Sequence, residues 1–164
     1  MSHLEKIKSK VQSISTLKVT RENWRKKAEQ VVFTNGCFDI LHYGHLHYLA
    51  QARDLGDRLI IGLNADDSVK RLKGEHRPIQ DIHTRQMMLA SLSFVDAVIL
   101  FEEDTPLRLI TTLRPDILVK GGDYLPADIV GATEVQADGG EVRVLSFIPG
   151  YSTSSIEQKI KEQA

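Results

Sequence analysis

The sequence predicts a doubly wound α/β fold, a single domain built on a five-stranded parallel sheet with helices on both faces. Three observations predict it. Five short apolar runs recur along the 164 residues. The first four lack polar alternation, as strands covered on both faces do. Between the runs lie helical patterns with capping residues, so strands and helices alternate.

The strands are expected at 31–34 (VVFT), 58–63 (RLIIGL), 97–101 (AVILF), 117–120 (ILVK) and 142–147 (VRVLSF). The helices are expected at 45–54, at 81–94 behind an Asp81 cap, at 105–113 with Pro106 at the first helical position, and at 152–162 behind Ser152 and its neighbours. Residues 1–29 form a helical N-terminal extension ahead of the 30–164 domain. Leu4, Ile7 and Val11 sit at helical spacing, and 20–30 (TRENWRKKAEQ) has the pattern of a second capped helix. This extension packs on the core or serves self-association. Each strand is followed at its carboxyl end by a polar, glycine-containing or acidic loop, the edge along which open α/β sheets bind ligands.

Composition narrows the function. With 21 basic and 22 acidic residues the net charge is -1. No basic excess marks a nucleic-acid or membrane surface, and any anion site must be assembled from a few residues. One cysteine excludes an intramolecular disulfide framework. The charged N-terminus lacks the apolar centre of a signal peptide, and a cytoplasmic protein is the expectation. The P-loop, dinucleotide-binding and nucleophile-elbow motifs are all missing.

The most unusual stretch is 34–49, TNGCFDILHYGHLHYL. A three-histidine metal site on one helix is geometrically poor, because His42 and His45 are neighbours while His47 lies on the other side. Cys37 lacks the setting of an activated thiol. An anion site is coherent: a buried strand ends in Asn35-Gly36, a loop follows, and a helix opens with His42, Gly44 and His45. Helix starts bind phosphates through free N–H groups and the dipole. Gly44 leaves room between two imidazoles for a polyphosphate. The alternative is two surface histidines on an amphipathic helix. Lys120, closing an apolar run at the same edge, reads as a ligand contact. Arg85 falls in the first turn behind Asp81, where a cation opposes the dipole unless an anion offsets it.

Taken in order, FTNGCFDILHYGH (33–45), RLKGEHRP (71–78), FEEDTP (101–106), LVKGGDY (118–124) and YSTSSI (151–156) resemble the nucleotidyltransferase superfamily with its H-x-G-H signature. Within it they are similar to the heptose 1-phosphate adenylyltransferases. The resemblance implies a Rossmann-like fold and adenylyl transfer from ATP to D-glycero-β-D-manno-heptose 1-phosphate, for lipopolysaccharide inner-core precursors. It implies nucleotide contacts from Thr34, Asn35, Gly36, Phe38, Asp39, Gly44, Arg85, Gly121, Asp123, Ser152, Thr153 and Ser154. It implies catalytic roles for His42, His45, Lys73 and Lys120, with Lys73 and Arg77 reaching the sugar phosphate from a mobile loop. Asp39 has two readings, a structural acceptor for loop amides or a water-mediated contact to Mg²⁺. Ser152, Thr153 and Ser154 have two as well, helix capping or phosphate binding. Many related cytidylyltransferases carry an arginine just before this last segment. None stands in FIPGYSTSS (147–155), which shifts charge neutralisation toward Lys73, Arg77 and Lys120.

Mg²⁺ is expected to arrive with ATP, held by phosphates and water rather than by a protein cage. The implied setting is a stand-alone domain, supplied by a separate sugar kinase and associating as a homo-oligomer, for which a dimer is the guess. A cytidylyltransferase acting on a polyol phosphate and a catalytically silent nucleotide-binding module are the alternatives.

Overall fold

The computed structural model describes residues 1–163. Five strands, β1 (Val31–Gly36), β2 (Arg58–Asn64), β3 (Ala97–Phe101), β4 (Ile117–Gly121) and β5 (Glu141–Leu145), form one parallel sheet in the order β3-β2-β1-β4-β5. The helices are α1 (His3–Ser9), α2 (Ile14–Lys26), α3 (Tyr43–Arg53), α4 (Asp66–Lys73), α5 (Ile82–Ser91), α6 (Leu107–Leu113), α7 (Ala132–Ala137) and α8 (Thr153–Gln163). The expected Rossmann-like, doubly wound class is the one observed.

Strand composition explains the layering. Successive side chains of a strand point to opposite faces. Val31, Phe33 and Ile60 enter one core with Leu17 of α2 and Leu109, Ile110 and Leu113 of α6. Val32, Leu59, Ile61 and Val119 enter the other with Leu49 of α3 and Leu89 of α5. Both faces are therefore buried, and each such side chain contributes about 1.5–3 kcal/mol.

Several boundaries differ from the sequence reading. The second helix begins at Ile14 rather than Thr20, because Ser13 Oγ accepts the Thr16 amide at 3.2 Å, and it ends before Ala28, whose φ is 57°. Val11 is not helical. Residues 10–12 run beside the outer edge of β3, with Val98 N–H donating to Lys10 and Gln12 N–H donating to Val98. That contact covers part of an otherwise open strand edge. Pro106 precedes the helix as its cap instead of occupying its first position. The 81–94 helix stops at Ser91, where Leu92 turns to extended backbone. The short α7 and the 3-10 turn at Pro126–Asp128 had no clear apolar period in the sequence. Among the described residues, no helix is long and apolar enough to cross a membrane.

Candidate active site

β1 and β4 are neighbours where the strand order reverses, and the loops leaving their carboxyl ends diverge over a cleft. A cavity of about 590 Å³ opens there, lined among others by Asn35, Cys37, Phe38, His45, Lys73, Arg77, Lys120, Thr153 and Ser154. A smaller space of about 220 Å³ shares Asn35, His45 and Lys120 with it and extends to Tyr48, Gly121 and Phe147. Together they have the size of a small-molecule site.

The two histidines come together as the spacing implies. His42 is the N-cap of α3, its Nδ1 accepting the His45 amide at 3.4 Å. That bond places the His42 proton on Nε2. The His42 and His45 rings stack with centroids 3.8 Å apart. Burial and the neighbouring His42 push the His45 imidazole down to about 4, and burial lowers His42 as well. Both therefore stand neutral at pH 7, as hydrogen-bond donors rather than fixed charges. Of the pair only His45 lines the cavities; His42 lines neither, and nor does His47, which lies against Tyr43.

The depressed value makes a prediction. His45 is expected to titrate near pH 4 in an NMR titration of the free protein. The unfolded chain takes up this proton near the ordinary value of 6.5 and the native protein only near 4. Its contribution to stability is thus present above 6.5 and is lost progressively as pH falls between the two. A titration at or above 6.5 would contradict the assigned burial.

The glycines act differently from the sequence reading. A Cβ on Gly36 would sit 2.9 Å from the Phe38 ring, and one on Gly44 would sit 3.1 Å from both the His42 ring and Tyr151 Cβ. In this structure they make room for protein groups. Phe38, at φ 45°, lays its ring edge-on to His45 with centroids 5.4 Å apart and so backs that imidazole.

Four more expected contacts are taken up by the protein. Thr34 is fully buried and bonds the Tyr48 hydroxyl at 2.5 Å, behind the cavity wall. Asp39 accepts the amides of Ile79 and Gln80 and the Arg77 Nε, the last at 2.7 Å. Burial alone would raise its carboxyl, but those donors hold it below the usual range. Of its two readings, the geometry matches the structural one. Arg77 is thereby anchored, and Lys73 belongs to the last turn of α4, so neither sits on a free loop here. Arg85 is 0% exposed. Its guanidinium donates to the carbonyls of Cys37, Asn64 and Gln80 and to Asp66 Oδ1 at 2.6 Å. The anion that offsets it is Asp66, and Arg85 supports the cleft from beneath rather than entering it.

Lys120 reaches the cavity from β4 with its Nζ 5.8 Å from the Tyr124 ring centroid, and burial lowers its pKa. Ser152 Oγ accepts the Ser155 amide at 3.0 Å, a capping role, while Thr153 and Ser154 face the cavity. Asp123 is exposed and lines neither space, whereas the adjacent Tyr124 lines both. Sequence reasoning gave no role to Tyr124 or Phe147. Phe147 packs over Gly121 and stands edge-on to Tyr48, centroids 5.6 Å apart. Single aromatics in loops carry no periodic signal that could have marked them.

Burial raises the Cys37 thiol, which leaves little nucleophilic thiolate near neutral pH. Cys37→Ser is expected to retain most activity in a pyrophosphate-release assay, and abolition would point to a thiol mechanism. Among the described residues, no three His, Cys, Asp or Glu side chains converge to hold a metal ion.

Residues 33–159 match the family model described as Cytidylyltransferase-like. The chain is 57% identical over 148 residues to the bifunctional protein HldE of Histophilus somni (strain 129Pt), covering 90% of this chain and 31% of that protein. It is 58% identical over 139 residues to HldE of Proteus mirabilis (strain HI4320), covering 85% and 29%. It therefore spans about a third of the length of these curated relatives. A crystal structure of the lipopolysaccharide core biosynthesis protein from Thermoplasma volcanium GSS1 superposes with a TM-score of 0.60 at 30% identity, covering 73% of this chain and 97% of that one. Pantoate-beta-alanine ligase from Francisella tularensis shares the fold, at a TM-score of 0.60 and 15% identity over 92% of this chain and 76% of that one. The family match extends over most of the chain and contains the β1 loop, the stacked histidines and both loops of the cleft: the chain belongs to the cytidylyltransferase-like family of nucleotidyltransferases.

Proposed function

We propose that the protein transfers the adenylyl group of ATP to D-glycero-β-D-manno-heptose 1-phosphate, giving ADP-heptose and pyrophosphate. The observation that carries this is His45, stacked on His42 at the start of α3 and lining a cavity that Lys73, Arg77 and Lys120 also line. The likeness to the bifunctional HldE proteins and to the Thermoplasma protein supports the heptose and the lipopolysaccharide-core setting.

The acceptor phosphate is already an anion at neutral pH, so the reaction needs no general base. An acceptor oxygen attacks the α-phosphorus in line as the bond to pyrophosphate breaks. Catalysis is positioning and charge stabilisation. His42 Nε2 and His45 donate to the phosphate oxygens on which charge builds. Lys120 and Lys73 supply positive charge to the cavity, and the start of α8 receives the β- and γ-phosphates at Thr153 and Ser154. Arg77 meets the sugar phosphate. Mg²⁺ would be held by phosphate oxygens and water, neutralising charge there. Residues 30–164 carry this chemistry and residues 1–29 brace it, the Val11 contact with β3 and the buried Leu17 being their anchor points. The heptose 1-phosphate is supplied by a sugar kinase activity, and the enzyme acts as a homo-oligomer.

Pyrophosphate release tests the reading, with ATP, CTP and GTP each offered against heptose, glycerol and ribitol phosphates. Turnover is expected with ATP and heptose 1-phosphate. Preference for CTP with a polyol phosphate would replace this reading, and silence across the panel with ATP still bound would indicate a binding module.

A further inference from the structure

Arg77 lines the cavity and stands between two carboxylates. Its Nε donates to Asp39 at 2.7 Å, and its Nη1 to Glu157, in the second turn of α8, at 3.4 Å. The two acceptors are not equivalent. The Asp39 side chain is 1% exposed and also holds the amides of Ile79 and Gln80, so its departure would leave two backbone donors without their acceptor. The Glu157 side chain is 28% exposed and its contact is long. It belongs to a helix that buries none of its residues. The single positive charge of Arg77 is outnumbered by these two carboxylates. A phosphate reaching Arg77 competes with both carboxylates for the guanidinium, and only Glu157 is placed to give way.

We propose that Glu157 keeps the place of the substrate phosphate on Arg77. In the free protein it completes the charge environment that holds the guanidinium at the cavity wall. When the sugar phosphate arrives, Arg77 Nη1 passes from the Glu157 carboxylate to a phosphate oxygen while Nε stays on Asp39. No covalent bond changes. Glu157 is thus a positioning residue that sets affinity for the second substrate, and the proposal rests on the sugar-phosphate reading of this cavity given above.

Glu157→Gln removes the competing charge and retains the shape. The KM for heptose 1-phosphate is expected to fall about two- to fivefold, the range of a partly exposed ion pair, with the KM for ATP unchanged. Inorganic phosphate, titrated calorimetrically, is expected to bind the variant more tightly by a similar factor. That gain is expected to vanish when Arg77→Ala is present in both proteins compared. A KM for heptose 1-phosphate that is unchanged or raised would overturn the proposal. So would a phosphate gain that persists without Arg77. If wild-type enzyme fails to use heptose 1-phosphate at all, the functional reading falls, and the phosphate titrations still decide the role of Glu157.

Discussion

Replacing His45 by alanine is expected to lower turnover by about 10²–10³-fold, or roughly 3–4 kcal/mol of transition-state stabilisation, the cost of losing one pre-organised donor. His45 is singled out over His42 by its surroundings. It lines both cavities, its ring is clamped between His42 and the edge of Phe38, and burial keeps it neutral at pH 7. A donor fixed in this way needs no reorganisation when charge develops on the phosphate. The substitution should leave the fold intact, since the ring contacts of His45, to Phe38 and His42, stay within the loop after β1 and the start of α3. A folded variant within threefold of wild type at saturating ATP would remove His45 from the mechanism.

Arg85→Ala is expected to act through stability instead, by about 3–5 kcal/mol. Truncation opens a buried void and leaves the carbonyls of Cys37, Asn64 and Gln80 without their donor, with Asp66 losing its cation. These groups come from the ends of β1 and β2 and from the segment before α5, so one side chain ties three parts of the cleft floor together. A denaturant midpoint shifted by less than the equivalent of 1 kcal/mol would show that the cluster re-forms around water. Activity measured well below the midpoint should fall as well, because the Cys37 carbonyl lies in the loop that carries Phe38 and leads to the histidines. Failure of activity without loss of stability would instead point to direct ligand contact by Arg85.

Much of the fold was legible because its signals are local. Runs such as RLIIGL have no polar alternation, and Ile60 and Ile61 do bury on opposite faces of the sheet. Helix starts were legible where a side chain caps them, as at Asp81, whose Oδ1 accepts the Thr84 amide at 2.7 Å. They were misjudged where the cap was passed over, as at Ser13. The histidine pair was legible for a similar reason. Residues three apart at a helix start must be neighbours, and a residue two further on must point elsewhere.

The remaining site residues depended on long-range partners. Arg77 looked like a free cation in a glycine- and proline-containing loop, yet its partners stand 38 and 80 residues away in sequence. Arg85 looked like a cation in want of an anionic ligand, and the anion proved to be Asp66 of the same chain. Gly44 was read as leaving room for a polyphosphate, and the groups nearest the missing side chains of Gly36 and Gly44 are Phe38, His42 and Tyr151.

By itself, then, the sequence determined the alternation of strands and helices, the sheet edge on which the cavity opens, and the two imidazoles that share the start of α3. Those follow from backbone periodicity and capping, which act over a few residues. Only the tertiary structure decided which charges face the cavity and which are consumed beneath it. That outcome depends on the strand order β3-β2-β1-β4-β5, which brings the loops after β1 and β4 and the start of α8 to one cleft. A buried charge must find a partner wherever the fold supplies one.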